Sequence, residues 1–141
     1  MKWKYRGLSA WGGLALLSCV VLSAAAESPA QESLAVVKKN IEEKKGVLVD
    51  VREPAEWKEG HIAGAISVPL IDLDDDAQAV VLKQKLPKNQ ILYTYCVVGV
   101  RARTAAEWLR KDGYDVRPLK AGYKDLLKAG FKKAEPQPSN P

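Results

Sequence analysis

Short apolar runs of strand-forming residues alternate with helix-like segments along most of this chain. The runs lie at 47–51 (VLVDV), 65–70 (AISVPL), 91–95 (ILYTY) and 114–119 (YDVRPL), and β-branched and aromatic residues are frequent in them, as in buried strands. Strands that alternate with helices indicate an α/β domain, in which helices cover both faces of a mostly parallel sheet. Ligands of such sheets bind beyond the carboxyl ends of the strands, so we expect functional residues there.

Helices are predicted from apolar spacing and from capping residues. Asp74, Asp75 and Asp76 fall near the start of one of them, where the helix macrodipole favours acidic side chains. We interpret this acidic run as a solvated helix start rather than a metal site. The predicted helices are one that Ser33 caps and Gly46 stops, a short one from Pro54 through Trp57, and those at 72–84, 101–111 and 122–128.

The first 26 residues have the layout of a secretory signal peptide. Basic residues precede an uncharged apolar run from Leu8 to Leu22, and the small residues at 23–26 supply an A-x-A cleavage site. The run, about 15 residues, is short for a transmembrane anchor, so we expect cleavage, export to the periplasm and no membrane span afterwards. A lipid anchor at Cys19 is the alternative. A polar lead at 27–32, a domain at 33–130 and a disordered, Pro-rich tail at 131–141 are expected to follow.

The charge of the chain falls once the signal peptide is set aside. The whole chain has 22 basic and 17 acidic residues, a net charge of +5. Three of the basic residues and none of the acidic ones lie in 1–26, which leaves 19 basic against 17 acidic residues and a net charge of +2. These charges are interspersed and form no basic stripe, so nucleic acid is not an expected partner.

Cys96 is the one cysteine after residue 26, and it directly follows the strand-like run at 91–95. It cannot form a disulfide within the mature chain. A lone cysteine in an exported protein is a reactive thiol, a partner in an intermolecular bridge, or a buried and inert side chain. Composition alone leaves these alternatives open.

The six-residue segment CVVGVR, 96–101, joins the strand to the next helix. If its amides point inward at the helix N-terminus, they form a nest that binds anions and favours a nucleophilic thiolate. Gly99 permits the backbone angles that such a nest needs. Arg101 can offer a positive side chain to the anion or to the carbonyls of the loop.

Two further stretches, together with this loop, resemble the rhodanese-like domain family. They are DVREPAEWKEGHIAGAISVPL at 50–70 and RARTAAEWLRKDGYDVRPLKAGY at 101–123, and the resemblance extends over roughly 33–128. It implies a three-layer α/β fold with a central, mostly parallel sheet of about five short strands between helices. It also implies a cysteine, here Cys96, that carries sulfur as a persulfide, with no metal or organic cofactor.

The resemblance implies a sulfurtransferase that moves sulfane sulfur from a thiosulfate-like or persulfide donor to a thiophilic acceptor, cyanide or a thiol. The six-residue loop is similar to that of sulfurtransferases, whereas related phosphatases and arsenate reductases have one residue more. A slow or non-catalytic binding and sensing module is one alternative, and a cysteine-dependent phosphatase or arsenate reductase is the other. The expected anion-binding loop comprises Val97, Val98, Gly99, Val100 and Arg101.

The valines Val97, Val98 and Val100 depart from the pattern of thiosulfate-using family members, which often have a basic residue directly after the cysteine. Little side-chain charge then remains to attract a dianion, so we expect inefficient use of thiosulfate. A less charged or protein-borne persulfide donor is favoured over this small anion. The valines either pack the loop against a neighbouring surface or dock a protein partner.

Asp50, Arg52 and His61 are the expected supporting residues. Asp50 is expected to hold the neighbouring loop with Arg52 as its ion-pair partner, and a catalytic carboxylate is the alternative. His61 is the only histidine and matches a family position that bonds loop backbone, with general base as its alternative. Trp57 and Trp108 are expected in the core. No cluster of cysteine, histidine and carboxylates has metal-ligand spacing, so no metal site is expected.

Overall fold

Four parallel strands form the central sheet of the structure, a computed structural model that describes residues 31–135. The strands are β1 (Gly46–Asp50), β2 (Ile66–Ser67), β3 (Ile91–Tyr95) and β4 (Val116–Pro118), in the order β2-β1-β3-β4. The predicted α/β class and the parallel sheet are confirmed. The expected number of about five strands is not confirmed, because the described residues form four. Residues 31–33, which begin the described part of the chain, form no strand before the first helix.

The register of the sheet brings the ends of β1 and β3 together. Asp50 lies opposite Tyr95, and the Val51 N–H donates to the Tyr95 carbonyl oxygen at 3.1 Å. Both strands therefore end at the same edge, and the residue after Tyr95 is Cys96. This is the carboxyl edge at which parallel sheets hold their ligands.

The helices begin close to their predicted positions. Ser33 caps the first, where its side chain accepts a hydrogen bond from the Val36 N–H, as predicted. The single helix expected at 72–84 is wrong, because Asp75 is extended and its carboxylate accepts the N–H groups of Ala77 and Gln78 at 3.0 Å, starting a new helix. Among the described residues the helices are α1 (Leu34–Glu42), α2 (Pro54–Glu59), α3 (Leu70–Leu73), α4 (Asp76–Lys83), α5 (Val100–Lys111) and α6 (Tyr123–Lys128).

Each face of the sheet buries its own apolar cluster, since successive side chains of a strand point to opposite faces. Val49 and Leu92 pack with Cys96 and with the inner side of α5. Leu48 and Tyr93 lie on the other side, with buried residues of α1 and α6. This arrangement is the expected three-layer fold.

The C-terminal boundary lies further on than expected. Phe131 is buried, the Ala63 N–H donates to the Lys132 carbonyl at 2.8 Å, and the Ala134 N–H donates to the His61 carbonyl at 2.9 Å. The disorder expected from residue 131 onward is therefore wrong for 131–135, because an apolar anchor and backbone pairing hold this segment. The rest of the tail, 136–141, lies outside the described residues.

The signal peptide at 1–26, the alternative lipid anchor at Cys19 and most of the polar lead also lie outside the described residues. Within residues 31–135 no helix has the length and apolar character needed to cross a membrane.

Candidate active site

The Cys96 loop, residues 96–101, links the end of β3 to the first turn of α5. Gly99 caps α5 with φ +85°, in the left-handed region that favours glycine. This conformation lets the Gly99 N–H donate to Cys96 Sγ at 3.0 Å. A backbone donor and the positive end of a 12-residue helix thus both point at that sulfur, an arrangement that favours an anion there.

The segment at 119–123 packs closely against the Cys96 loop and holds it as a clamp. The Tyr123 N–H donates to the Cys96 carbonyl at 2.9 Å. A Cβ on Gly122 would stand 1.7 Å from the Val97 carbonyl oxygen, so glycine is required there. A Cβ on Gly99 would likewise meet Lys120 Cα at 3.1 Å. Sequence reasoning missed the role of Gly122, because its short distance to Val97 arises only when 119–123 folds against the loop.

Arg101, the last residue of the loop, binds two carboxylates at the start of α2. Its guanidinium donates to Glu56 Oε2 at 2.7 Å and to Oε1 at 3.0 Å, and Glu53 lies 3.6 Å away. The hydrogen bond with Glu56 is the main cause that raises the pKa of Arg101; burial opposes it, and the negative charges of Glu56 and Glu53 add to it. The same bond lowers the pKa of Glu56. The expectation that Arg101 offers its charge to the anion or to the loop carbonyls is replaced by this ion pair.

Glu56 has a second role that the sequence could have revealed. Its Oε2 accepts the N–H of Glu53 at 2.9 Å, the reach-back bond of a capping box at the start of α2. The spacing of three residues between Glu53 and Glu56 is the signal for that motif. The pairing with Arg101 had no such local signal.

The three valines of the loop are exposed to solvent. The exposed fractions are 48% for Val97, 72% for Val98 and 58% for Val100, whereas Cys96 is 1% exposed. The interpretation that the valines pack the loop against another part of the domain is therefore wrong for the described residues. Neighbouring exposed apolar side chains are typical of a surface that contacts a partner.

Asp50 and Arg52 form the expected ion pair, and it is buried. The Arg52 guanidinium donates to both carboxylate oxygens at 2.6–3.0 Å, and it also donates to the Gly60 carbonyl at 2.8 Å. The Tyr95 hydroxyl donates to Asp50 at 2.7 Å. The guanidinium carbon lies 4.3 Å from the ring centroid of Tyr123, the residue whose amide holds the Cys96 carbonyl. Asp50 and Arg52 thus position the loop from a distance.

Arg52 and Tyr95 both keep their protons around neutral pH. Burial raises the pKa of Tyr95, and the neighbouring negative charge of Asp50 raises it further, so the hydroxyl remains a donor. Burial opposes the charge of Arg52, but hydrogen bonding and attraction to Asp50 outweigh that effect and raise the pKa of Arg52. The cluster is therefore a fixed scaffold.

His61 stacks on Trp57 at the end of α2. The ring centroids are 3.5 Å apart with an interplanar angle of 8°, and His61 Nδ1 lies 3.2 Å from the Trp57 carbonyl oxygen. This backbone contact fits the structural role expected for His61. Within residues 31–135, no hydrogen bond joins His61 to Cys96. Trp57 is partly exposed rather than in the core, whereas Trp108 packs against the core from its edge.

Among residues 31–135, no group of three or more histidine, cysteine, aspartate or glutamate side chains is placed to hold a metal ion. Of the expected site residues, the structure joins Cys96 to Gly99 directly. It connects Asp50 and Arg52 to Cys96 through Tyr123, and it turns Arg101 towards α2.

Comparisons with known proteins agree with this geometry. The family described as the rhodanese-like domain matches residues 33–129. The uncharacterized protein YqhL of Bacillus subtilis is 39% identical over 82 residues, which cover 57% of this chain and 60% of that protein. A tRNA uridine(34) hydroxylase of Buchnera aphidicola is 35% identical over 83 residues, covering 58% of this chain and 27% of that protein. The chain thus spans less than two thirds of these relatives.

Solved structures show the same fold. A rhodanese-related protein from Thermoplasma volcanium has a TM-score of 0.60 and 25% identity, with 74% of this chain and 96% of that chain covered. A rhodanese-like domain protein from Staphylococcus aureus has a TM-score of 0.55 and 28% identity, with 70% and 92% covered. The human single-domain sulfurtransferase TSTD1 has a TM-score of 0.59 at 24% identity, with 70% and 95% covered, a likeness of fold. The chain belongs to the rhodanese-like domain family.

Proposed function

We propose that the protein is a sulfurtransferase that carries sulfane sulfur on Cys96. The observation that supports this most is the hydrogen bond from the Gly99 N–H to Cys96 Sγ at the N-terminus of α5. A sulfur atom with this environment is stabilised as an anion, first as a thiolate and then as the terminal sulfur of a persulfide. One relative, 35% identical over half of this chain, is named a probable adenylyltransferase/sulfurtransferase.

The reaction has two displacements at sulfur. The Cys96 thiolate attacks the outer sulfur of a donor R–S–SH, an Sγ–S bond forms, and R–S⁻ leaves. An acceptor thiolate or cyanide then attacks the outer sulfur of the Cys96 persulfide, and Cys96 leaves as the thiolate with which the cycle began. Each step exchanges one bond to sulfur for another and needs no outside oxidant or reductant. The kinetics are therefore ping-pong.

The donor that fits this site is a persulfide with little charge of its own. Thiosulfate is a dianion, and it would need positive side chains in addition to amides. Arg101 shares its charge with Glu56 and Glu53, and the valines add none. The Cys96 loop itself thus lacks the side-chain attraction that would favour thiosulfate over a persulfide.

Donor preference is tested by the formation of thiocyanate from cyanide. The purified protein is given thiosulfate in one series and cysteine persulfide in the other, and kcat/KM is compared after subtraction of the reaction without protein. We expect the persulfide to be preferred by about tenfold or more, a difference of about 1.4 kcal/mol in the transition state. A preference for thiosulfate would contradict this donor assignment.

We also propose that the protein is exported to the periplasm after cleavage behind Ala26. Support comes from the charge and hydropathy pattern of the first 26 residues. The test is the mass of the protein recovered from the periplasmic fraction of a bacterial host. A mature N-terminus at Glu27 is expected, whereas a diacylglycerol-modified Cys19 would identify a lipid anchor instead.

A further inference from the structure

A groove of about 630 Å³ lies beside the Cys96 loop, between α5 and the segment that follows β4. Val98 and Val100 of the loop line one end, where Arg103 and Lys120 also lie. Glu32 and Arg117 belong to the remainder of the lining. The charged residues of the lining give the groove a net positive charge: there are four basic ones, Arg103, Arg110, Arg117 and Lys120, and two acidic ones, Glu32 and Glu107.

The chain itself shows that this groove accepts a carboxylate. Glu32 forms an ion pair with Arg117 there. The Tyr93 hydroxyl donates to the same carboxylate at 2.6 Å, and the Asn40 side-chain amide lies at hydrogen-bond distance, 3.4 Å. One part of the groove is therefore already neutralised by an acidic residue of the chain.

The end beside the loop has no such partner in the part of the chain that the structure describes. Arg103 and Lys120 are both exposed, and their side chains make no ion pair or hydrogen bond with residues 31–135. Glu107, one turn after Arg103 on α5, forms no ion pair with either of them. Among residues 31–135, then, Arg103 and Lys120 have no ionic partner, and they stand next to Val98 and Val100, whose side chains are 72% and 58% exposed.

The accessibility of Cys96 limits what can reach the sulfur. Only 1% of this residue is exposed, because it packs in the core cluster with Val49 and Leu92 beneath the loop. A protein thiol can approach Sγ only when it stands on a narrow, protruding segment of its own chain. Such a segment would lie across the valines and continue into the groove, so its neighbouring residues would meet Arg103 and Lys120.

We propose that Val98, Val100, Arg103 and Lys120 form the docking surface for a protein partner that exchanges sulfur with Cys96. The partner presents its cysteine on an extended segment that also has an apolar side chain for the valines and carboxylates for the two cations. This inference rests on the proposed sulfur transfer and names its partner. In the transfer step the partner thiolate attacks the outer sulfur of the Cys96 persulfide, Cys96 leaves as a thiolate, and the partner becomes the persulfide.

Two synthetic peptides test the chemistry of the partner. Each has one cysteine, one leucine and three charged residues, which are glutamates in the first and lysines in the second. Their acceptance of sulfur from the persulfidated full chain is measured at low salt and at about 1 M salt, where the screening length falls to about 3 Å. We expect the glutamate peptide to react about tenfold faster at low salt and the difference to shrink at high salt.

Charge reversal locates the site of this preference. Arg103→Glu and Lys120→Glu should each lower the ratio of the glutamate-peptide rate to the lysine-peptide rate, and the double variant should invert it. Lys85→Glu is the matched control, since Lys85 is exposed and does not line the groove. If the ratio falls equally in Arg103→Glu, Lys120→Glu and Lys85→Glu, the effect comes from net charge, and the proposal is overturned. So would equal rates of the two peptides with the unaltered protein.

Binding separates a failure of docking from a failure of sulfur transfer. The affinity of Cys96→Ser for fluorescent peptides with serine in place of cysteine is measured by anisotropy. If Cys96→Ser binds the glutamate peptide more tightly and this difference in affinity disappears when Arg103→Glu is added, the docking surface is supported even if no persulfide forms. Equal affinity for both peptides overturns it even if Cys96 carries sulfur. If deletion of residues 27–30 raises the affinity for both peptides equally, the chain's own polar lead fills the groove, and this result would also overturn the proposed docking surface.

Discussion

Both carboxylate oxygens of Glu56 accept hydrogen bonds from the guanidinium of Arg101, at 2.7 and 3.0 Å. This contact joins α2 to the first turn of α5 and fixes the end of the Cys96 loop. It also occupies the one cationic side chain of the loop. The groups left to stabilise an anion at Cys96 Sγ are therefore the Gly99 amide and the helix N-terminus.

The pair also makes the stability of the domain depend on pH. Hydrogen bonding to Arg101 lowers the pKa of Glu56 below its usual value of 4.5 in the folded state. A group whose pKa is lower in the folded than in the unfolded state stabilises the fold above the unfolded value, and this contribution is lost as the pH falls through the folded value. Glu56→Gln should thus lower the free energy of unfolding at pH 7, and the deficit should shrink below about pH 4.5.

Urea denaturation between pH 7 and pH 3 measures this deficit. Glu59→Gln is the control, because Glu59 is an exposed residue at the end of the same helix. Its effect should be small at every pH. A deficit for Glu56→Gln that stays constant down to pH 3 would show that the ion pair does not carry the effect.

An added positive charge in the loop should improve the use of thiosulfate. Val97 directly follows Cys96 and is 48% exposed, so an arginine can replace it without burying charge. We expect Val97→Arg to raise kcat/KM for thiosulfate about tenfold, which corresponds to about 1.4 kcal/mol of added transition-state stabilisation. Val81→Arg on α4, which starts from a valine of 57% exposure, should have no effect. Equal gains in both variants would point to net charge instead of the loop.

The close contact behind the loop predicts a loss of activity in Gly122→Ala. The new Cβ would stand 1.7 Å from the Val97 carbonyl oxygen, so the loop and the segment at 119–123 must shift apart, and we expect the Gly99–Cys96 hydrogen bond to be disturbed. Overpacking of this kind costs about 1–3 kcal/mol. Persulfide formation by the folded variant should fall sharply.

Gly113→Ala separates this effect from instability. Gly113 has φ +83° and open space around its missing Cβ, so alanine costs about 1–2 kcal/mol through the backbone alone. The two variants should have similar midpoints of thermal unfolding, yet only Gly113→Ala should keep its activity. Full activity in Gly122→Ala would contradict the role of the clamp.

The chain offers two aspartate–arginine pairs with the same spacing, one buried and one exposed. Asp50 and Arg52 are 1% and 5% exposed, whereas Asp115 and Arg117 are 56% and 37% exposed. Asp50→Asn leaves a buried guanidinium without its charge partner and should cost about 3–5 kcal/mol. Asp115→Asn should cost less than about 1 kcal/mol. Similar urea midpoints for the two variants would contradict the scaffold role of Asp50.

Local signals were sufficient to predict much of the fold from the sequence. The Ser33 cap, the strand that ends before Cys96 and the glycine at the start of α5 each depend on nearby residues, so they are readable in order along the chain. The parallel sheet followed from the alternation of elements. The break at Asp75 was missed because two cap bonds outweighed an apolar pattern that looked continuous.

Contacts between distant segments could not be read in this way. Glu56 and Arg101 are 45 residues apart, and the clash that requires Gly122 appears only when α6 meets the loop. The domain boundary at 130 was wrong for the same reason, since residues 132–134 are held by pairing with 61–63. Each of these features depends on packing between elements that the sequence does not place side by side.

The mass of the intact protein tests the central claim most directly. The purified protein and Cys96→Ser are incubated with cysteine persulfide, freed of donor and weighed, before and after treatment with cyanide. The proposed chemistry predicts a gain of one sulfur atom in the unaltered protein only, and its removal by cyanide with release of thiocyanate. No gain in the unaltered protein, or the same gain in Cys96→Ser, would contradict sulfur transfer through Cys96.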